Sequence, residues 1–234
     1  MSAQLDTQGT LWGFKRMVPL SLFVIAFGLA FGVAAIQRGL TGFEALLMSG
    51  LVFAGAAQFA SLELWGPTIP LVALIATTFA INARHLLMGA ALYPWVRHLP
   101  TGQRYACLGL MSDSNWAMAA ADYRRGETNV GMLVGGGIAL WLAWMLGTLL
   151  GVVFGSGISE PERFGLDVIM GCFLLAMLVG GKPQLSMLIP WSVAAVAALL
   201  AIYFLPANAH VIVGALAGGI AGLCLPVATP KAAS

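Results

Sequence analysis

An arginine stands inside an apolar segment long enough to cross a bilayer, and it constrains everything around it. Arg84 lies in the run Ala80-Ile81-Asn82-Ala83-Arg84-His85-Leu86-Leu87-Met88, and from Ile69 to Trp95 the only other strongly polar side chains are Asn82 and His85. A guanidinium in hydrocarbon costs at least about 2.5 kcal/mol and cannot escape by losing its proton. Arg84 precedes Pro94 by about 15 Å of helical rise, an awkward depth for snorkelling to the headgroups. It therefore calls for a partner, a water-filled cavity or a substrate.

Composition sets the class. Of 234 residues 60% are hydrophobic and 9% charged, against about 25% charged in soluble domains. This is the composition of an all-α, polytopic transmembrane helix bundle. A net charge of +2 without a basic, aromatic-interleaved patch argues against nucleic acid. Cys107, Cys172 and Cys224 are too few and too far apart for a disulfide framework or a zinc site. No metal or cofactor is expected.

Hydropathy and breaker residues predict eight spans: 17–36, 45–65, 69–95, 105–121, 131–154, 166–181, 186–204 and 209–226. Residues 1–16 read as a polar N-terminal tail, 17–226 as one membrane domain and 227–234 as a C-terminal tail. The 105–121 segment carries Ser112, Asp113, Ser114 and Asn115 at its centre. It cannot face lipid, so seven spans plus a buried or re-entrant segment is the alternative. With eight spans and an internal N-terminus, the inner side holds Lys15, Arg16, Arg124, Arg125, Lys182 and Lys231, and the outer side Arg38, Arg97, Arg104 and Arg163. The excess favours cytoplasmic termini, although the 94–104 loop opposes it. Gly28/Gly32, Gly131/Gly135, Gly147/Gly151, Gly214/Gly218 and Gly218/Gly222 share the four-residue spacing that lets helix backbones approach closely.

Five polar residues could carry chemistry. Gln58 stands among small residues in Phe53-Ala54-Gly55-Ala56-Ala57-Gln58-Phe59, either as interhelical glue or as a solute contact. Asn82 and His85 share one helical face, and Arg84 points elsewhere. Asp113 is the natural counter-charge to Arg84, or a carrier of a coupling proton, and His85 could serve with it in a relay or polar network. Glu63 beside Trp65 reads as a solvated interface residue. No hydrolase, zincin or nucleotide motif is present, so the chain reads as a non-enzyme whose energy would come from an ion gradient or a partner.

The series Pro19, Gly28, Phe31-Gly32, then Phe53 to Phe59, then Asn82-x-Arg84-His85-Leu86, then Asp113 resembles the AzlC-like large subunit of two-component branched-chain amino acid exporters. The resemblance covers residues 12–125. It implies a permease in the bacterial inner membrane, export of branched-chain or similar small amino acids, and a small AzlD-like membrane partner of about four spans. Ser114-Asn115 follow Asp113 where the family often carries another acidic residue. On this reading Gln58, Asn82 and Asp113 contact the substrate, and Arg84 either meets its carboxylate or anchors Asp113. A non-transporting scaffold subunit and an intramembrane enzyme using Asp113 and His85 are the competing classes.

Overall fold

In the computed structural model, residues 3–155, 185–205 and 209–224 are described. They form helices connected by short turns, with one isolated bridge between Gln4 and Asn129. The predicted span at 166–181, both tail ends, Cys172 and Arg163 lie outside the described residues. The chain divides into two compact units, one holding residues 1–69 and 81–171, the other 70–80 and 172–234.

The first unit is built on a pair of long helices, α1 (Thr7–Gln37) and α8 (Gly131–Gly155). α1 begins inside the segment read as a tail, because Asp6 caps it by accepting from the Gly9 N–H at 2.6 Å. That bond, followed by one from the Asn129 amide, holds the Asp6 carboxyl below its ordinary range. The seam between the two helices is glycine. A Cβ on Gly28 would lie 2.6 Å from the Trp144 carbonyl oxygen, and one on Gly32 would lie 2.9 Å from the Gly151 Cα. Gly13 meets Gly131, Gly28 meets Gly147 and Gly32 meets Gly151, so α1 and α8 run parallel. The spacing read from the sequence marks this seam. We call the membrane face at their starts the N-terminal face.

Parallel neighbours need an odd number of crossings between the end of one and the start of the other. The helices in between supply it in an unexpected way. α2 (Gly42–Leu51) and α3 (Gly55–Glu63) replace the single predicted span at 45–65. α2 runs antiparallel to α8: Gly42 abuts Val152, Ser49 bonds Thr148 and Gly50 accepts from Trp141. α3 returns alongside α1, with Phe59 against Phe27 and Phe31 and Glu63 bonded to Arg38. The Gln58 amide reaches the Met48 carbonyl at 2.9 Å. In one continuous helix those residues would stand about 15 Å apart along the axis. The segment is thus a re-entrant hairpin that enters and leaves by the far face.

The 105–121 span is also a hairpin, α6 (Thr101–Gly109) and α7 (Asp113–Arg124). α5 (Arg84–Val96) and α7 are parallel, joined by three rungs: Arg84–Asp113 at 3.0 Å, the Trp116 indole N–H to the Met88 carbonyl at 3.1 Å, and stacked Trp95 and Tyr123 rings. α6 lies antiparallel to α5, Leu108 beside Gly89. The hairpin therefore enters and leaves by the N-terminal face. This paired-helix form is that of the re-entrant alternative for the segment, and residues 45–65 share it. Among the described residues, the helices long and apolar enough to span are α1, Leu71–Val96 and α8. The middle one is α4 (Leu71–Asn82) followed, after a one-residue break at Ala83, by α5.

A ten-residue helix rises only about 15 Å, half of a hydrocarbon core. The hairpins reach mid-depth and turn back. α1 and α7 both stop with Gly in the left-handed region, Gly39 at φ 86° and Gly126 at φ 85°. The next N–H bonds back to Ala35 and Asp122 respectively, a Schellman stop. Thr41 and Glu44 then cap α2 reciprocally.

In the second unit, α9 (Leu185–Phe204) and α10 (Ala209–Leu223) match the last two predicted spans. They pack through small residues. A Cβ on Gly214 would lie 3.1 Å from the Ala194 carbonyl oxygen and one on Gly218 2.8 Å from the Ala194 Cβ. Gly222 is looser, 3.8 Å from Pro190.

Candidate functional site

Helix α8 measures where the two hairpin tips meet. The first tip, residues 52–54, is held at Trp141, Trp144 and Thr148. The Trp141 indole N–H donates to the Gly50 carbonyl (3.2 Å), the Trp144 indole N–H to the Ser49 hydroxyl (3.2 Å), and Ser49 and Thr148 share a 2.8 Å bond. The second tip, residues 110–112, sits on Gly137, where an added Cβ would strike the Leu110 carbonyl. Gly137 and Trp141 are separated by about 6 Å of rise. Phe53 of the first tip packs against the apolar cluster that includes Met111 of the second. The tips approach each other from opposite faces near the middle of α8. Irregular backbone at that depth is tolerated only where it is buried in protein or lines a water-filled cavity.

Each tip is stitched by one side-chain amide. Asn115 is wholly buried and fully used. Its oxygen accepts from the Ser112 N–H (2.6 Å) and hydroxyl (3.2 Å), and its nitrogen donates to the Leu110 (2.8 Å) and Leu133 (2.9 Å) carbonyls. Gln58 is equally buried but half used. Its nitrogen donates to the Met48 (2.9 Å) and Val52 (2.7 Å) carbonyls, and its Oε1 has no partner. Leaving such an acceptor buried and unsatisfied costs about 1–3 kcal/mol.

The ion pair lies at the second tip. Asp113 is the first residue of α7 and Arg84 the first of α5, so each charge sits at the start of a helix. Asp113 also finds favourable helix-dipole potential there. The side chains are 33% and 26% exposed. Of the two arrangements open to Arg84 in the sequence, the anchoring of Asp113 is formed, and Arg84 Nε stays buried without an acceptor. Asn82 Oδ1 is likewise buried and unpartnered. His85 Nδ1 lies 3.2 Å from the Asn82 main-chain oxygen. That bond leaves its Nε2 as an acceptor. No hydrogen bond joins His85 to Asp113 among the described residues, and Gln58 bonds only within its own hairpin.

Two further ion pairs were not read from the sequence. Asp122, 5% exposed at its side chain, takes a 2.7 Å bond from Arg16, whose guanidinium also covers the Trp12 ring. This pair ties the outer end of α7 to the start of α1. Glu63, exposed as expected, ties the outer end of α3 to the end of α1 through Arg38 at 2.9 Å. Arg16 and Arg38 are separated by about 33 Å of rise, a bilayer's hydrocarbon thickness. An open cleft of about 490 Å³ near Leu5, Phe14 and Gln103 contains none of the predicted site residues. Among the described residues no cluster of His, Cys, Asp or Glu could hold a metal.

Comparison with known proteins identifies a family. The family model described as AzlC protein matches residues 19–158, from within α1, through both hairpins, to just past α8. The chain is 26% identical over 172 residues to "Inner membrane protein YgaZ" of Escherichia coli (strain K12), covering 71% of this chain and 69% of that protein. It is 22% identical over 185 residues to "Branched-chain amino acid transport protein AzlC" of Bacillus subtilis (strain 168), covering 76% and 72%. An "Uncharacterized membrane protein" of Archaeoglobus fulgidus is 30% identical over 145 residues, 62% of each chain. No solved structure matches. With the match running over more than half of its length, this membrane protein belongs to the AzlC family.

Proposed function

We propose that this chain is the permease subunit of a two-component exporter of branched-chain or similar small amino acids, driven by an ion gradient across a bacterial inner membrane. The observation that carries the reading is the Arg84–Asp113 pair at the tip of a re-entrant hairpin, opposite a second tip from the other face. Discontinuous helices meeting near mid-depth are the usual setting of transporter substrate and ion sites. The Bacillus subtilis relative is named for branched-chain amino acid transport, which supplies the substrate class. Arg84, with Nε unengaged, can exchange Asp113 for a substrate carboxylate. Asn82 and Gln58 offer polar contacts, and His85 and Asp113 are the groups able to carry a coupling proton.

The hairpins also bear on orientation. Among the described residues they bring Arg97 and Arg104 to the N-terminal face beside Lys15, Arg16, Arg124 and Arg125, leaving Arg38 opposite. That asymmetry supports a cytoplasmic N-terminal face, and an even total of crossings would return the C-terminus to it. The broad lipid-length surface of exposed Leu, Ile, Val and Phe leaves area for a small membrane partner of about four spans.

Counterflow of labelled leucine into vesicles carrying this chain and its partner is the test. Uptake that depends on internal unlabelled leucine, with the label chemically unchanged, is expected. An equally folded protein without counterflow would favour a scaffold, and an altered compound an enzyme.

A further inference from the structure

The first hairpin presents a hydrogen-bond acceptor with only one possible orientation. The Gln58 nitrogen sits between two carbonyl oxygens, those of Met48 and Val52. Flipping the amide would set oxygen against both, so the usual ambiguity of amide orientation does not arise. Oε1 is therefore the free end, fully buried and unpartnered. The amide as a whole sits between the carbonyl end of α2, which its nitrogen contacts, and the first turn of α3. The corresponding amide of the second hairpin, Asn115, has both ends engaged. The unused acceptor thus distinguishes one tip from the other and is not a general cost of turning a helix at mid-depth.

We infer that Gln58 Oε1 receives the α-ammonium group of the transported amino acid when the tips part. The inference rests on the amino acid reading above and assigns the two ends of the substrate to different hairpins. The ammonium would go to the acceptor at the first tip, and the carboxylate to Arg84 at the second. A zwitterion bridging both tips would then report its presence to two elements that open toward opposite faces.

The experiment uses the complex as purified from membranes and two probes, leucine and 4-methylpentanoate, the same skeleton without the amino group. Gln58→Lys keeps donors for the Met48 and Val52 carbonyls and removes the acceptor. A charge-assisted hydrogen bond predicts at least about 10-fold weaker leucine binding in this variant, with 4-methylpentanoate binding undiminished. Gln58→Glu guards against a misfolded lysine variant. It can keep an acceptor, and its preference for leucine over the des-amino acid should persist or grow as pH rises. Wild-type binding of leucine with unchanged discrimination in folded Gln58→Lys would overturn the inference and leave the transport reading intact. Loss of discrimination in Gln58→Glu with 4-methylpentanoate still bound would overturn it too. A sodium dependence abolished by Gln58→Lys, with leucine discrimination retained, would assign Oε1 to an alkali cation instead. Folded wild type that binds no amino acid would remove both the transport reading and this inference.

Discussion

The two hairpins face the same difficulty, backbone polar groups set free at membrane depth, and they meet it differently. The α2–α3 hairpin borrows its support from α8, through the indoles of Trp141 and Trp144 and the hydroxyl of Thr148. The α6–α7 hairpin is largely self-stitched by Asn115 and adds charge, with Arg84 on Asp113 at the tip and Arg16 on Asp122 at the outer end. The first is an aromatic fitting with one spare acceptor, and the second is a closed polar network with one spare guanidinium nitrogen. Matching geometry with unmatched chemistry suits a site that must recognise a molecule with two unlike ends.

The largest effect is one of topology. If both hairpins re-enter, cysteines introduced by Gln37→Cys and Gly66→Cys must be labelled from one face of intact cells. Those from Arg97→Cys and Glu127→Cys must be labelled from the other, all in a background lacking the native cysteines. All four sites are exposed. Labelling of residues 37 and 66 from opposite faces would make α2–α3 a crossing and end the comparison.

Next comes the stitching. Asn115→Leu removes four bonds and strands the Leu110 carbonyl and the Ser112 N–H, while the Leu133 carbonyl keeps its partner within α8. Intramembrane bonds average about 0.6 kcal/mol and orphaned groups cost about 1–3 kcal/mol, so a loss of about 2–4 kcal/mol is expected. Gln58→Leu removes two bonds, but the Met48 carbonyl keeps the Val52 N–H and the Val52 carbonyl keeps the Ala54 N–H; it also deletes an acceptor that was never satisfied, and should cost about 1 kcal/mol. Thermal unfolding in detergent ranks the two. An equal loss would mean that the Gln58 oxygen has a partner.

Sequence reading went far on helices and less far on their direction. The glycine seam was legible because four-residue spacing has one common use in a membrane. The break in 105–121 was legible as a polar run that lipid would reject. The break at Val52-Phe53-Ala54 was not, since these residues are apolar and no proline marks the turn. Gly50, Gly55 and the Gln58 amide were its only signals, and each also fits a continuous helix. The Arg84–Asp113 option could be named because two buried opposite charges have few alternatives. Arg16–Asp122 was missed because Arg16 counted only as a flanking charge and Asp122 falls one residue past the predicted 105–121 span.

The pair at the second tip has an intermediate effect. Both members are about one-third exposed or less, so the coupling falls below that of a fully buried pair. We expect Arg84→Ala and Asp113→Ala each to cost about 1–2 kcal/mol, with a coupling near 1 kcal/mol in the double variant. Efflux should vanish in Arg84→Ala and fail to return in the double variant if the guanidinium also meets the substrate. Restored efflux in the double variant would confine Arg84 to holding Asp113.

The smallest effects belong to the outer ends, and there the hairpins differ chiefly by burial. Arg16 and Asp122 are 28% and 5% exposed, and Arg38 and Glu63 are 43% and 64% exposed. Water screens the second pair well, so its coupling should be about 0–0.5 kcal/mol, against about 1–2 kcal/mol for the first. Asp122 is also 3.6 Å from Arg125, so Arg16→Ala leaves the carboxylate one neighbour, and Asp122→Ala should be the costlier change. Double-mutant cycles on unfolding at low and high salt separate the cases. The Arg38–Glu63 term should disappear into error at high salt, while the Arg16–Asp122 term persists. Equal couplings would mean that the far-face pair is shielded in the working membrane complex. A partner subunit lying over the α1–α3 corner would do that, and the two outer ends would then be alike after all.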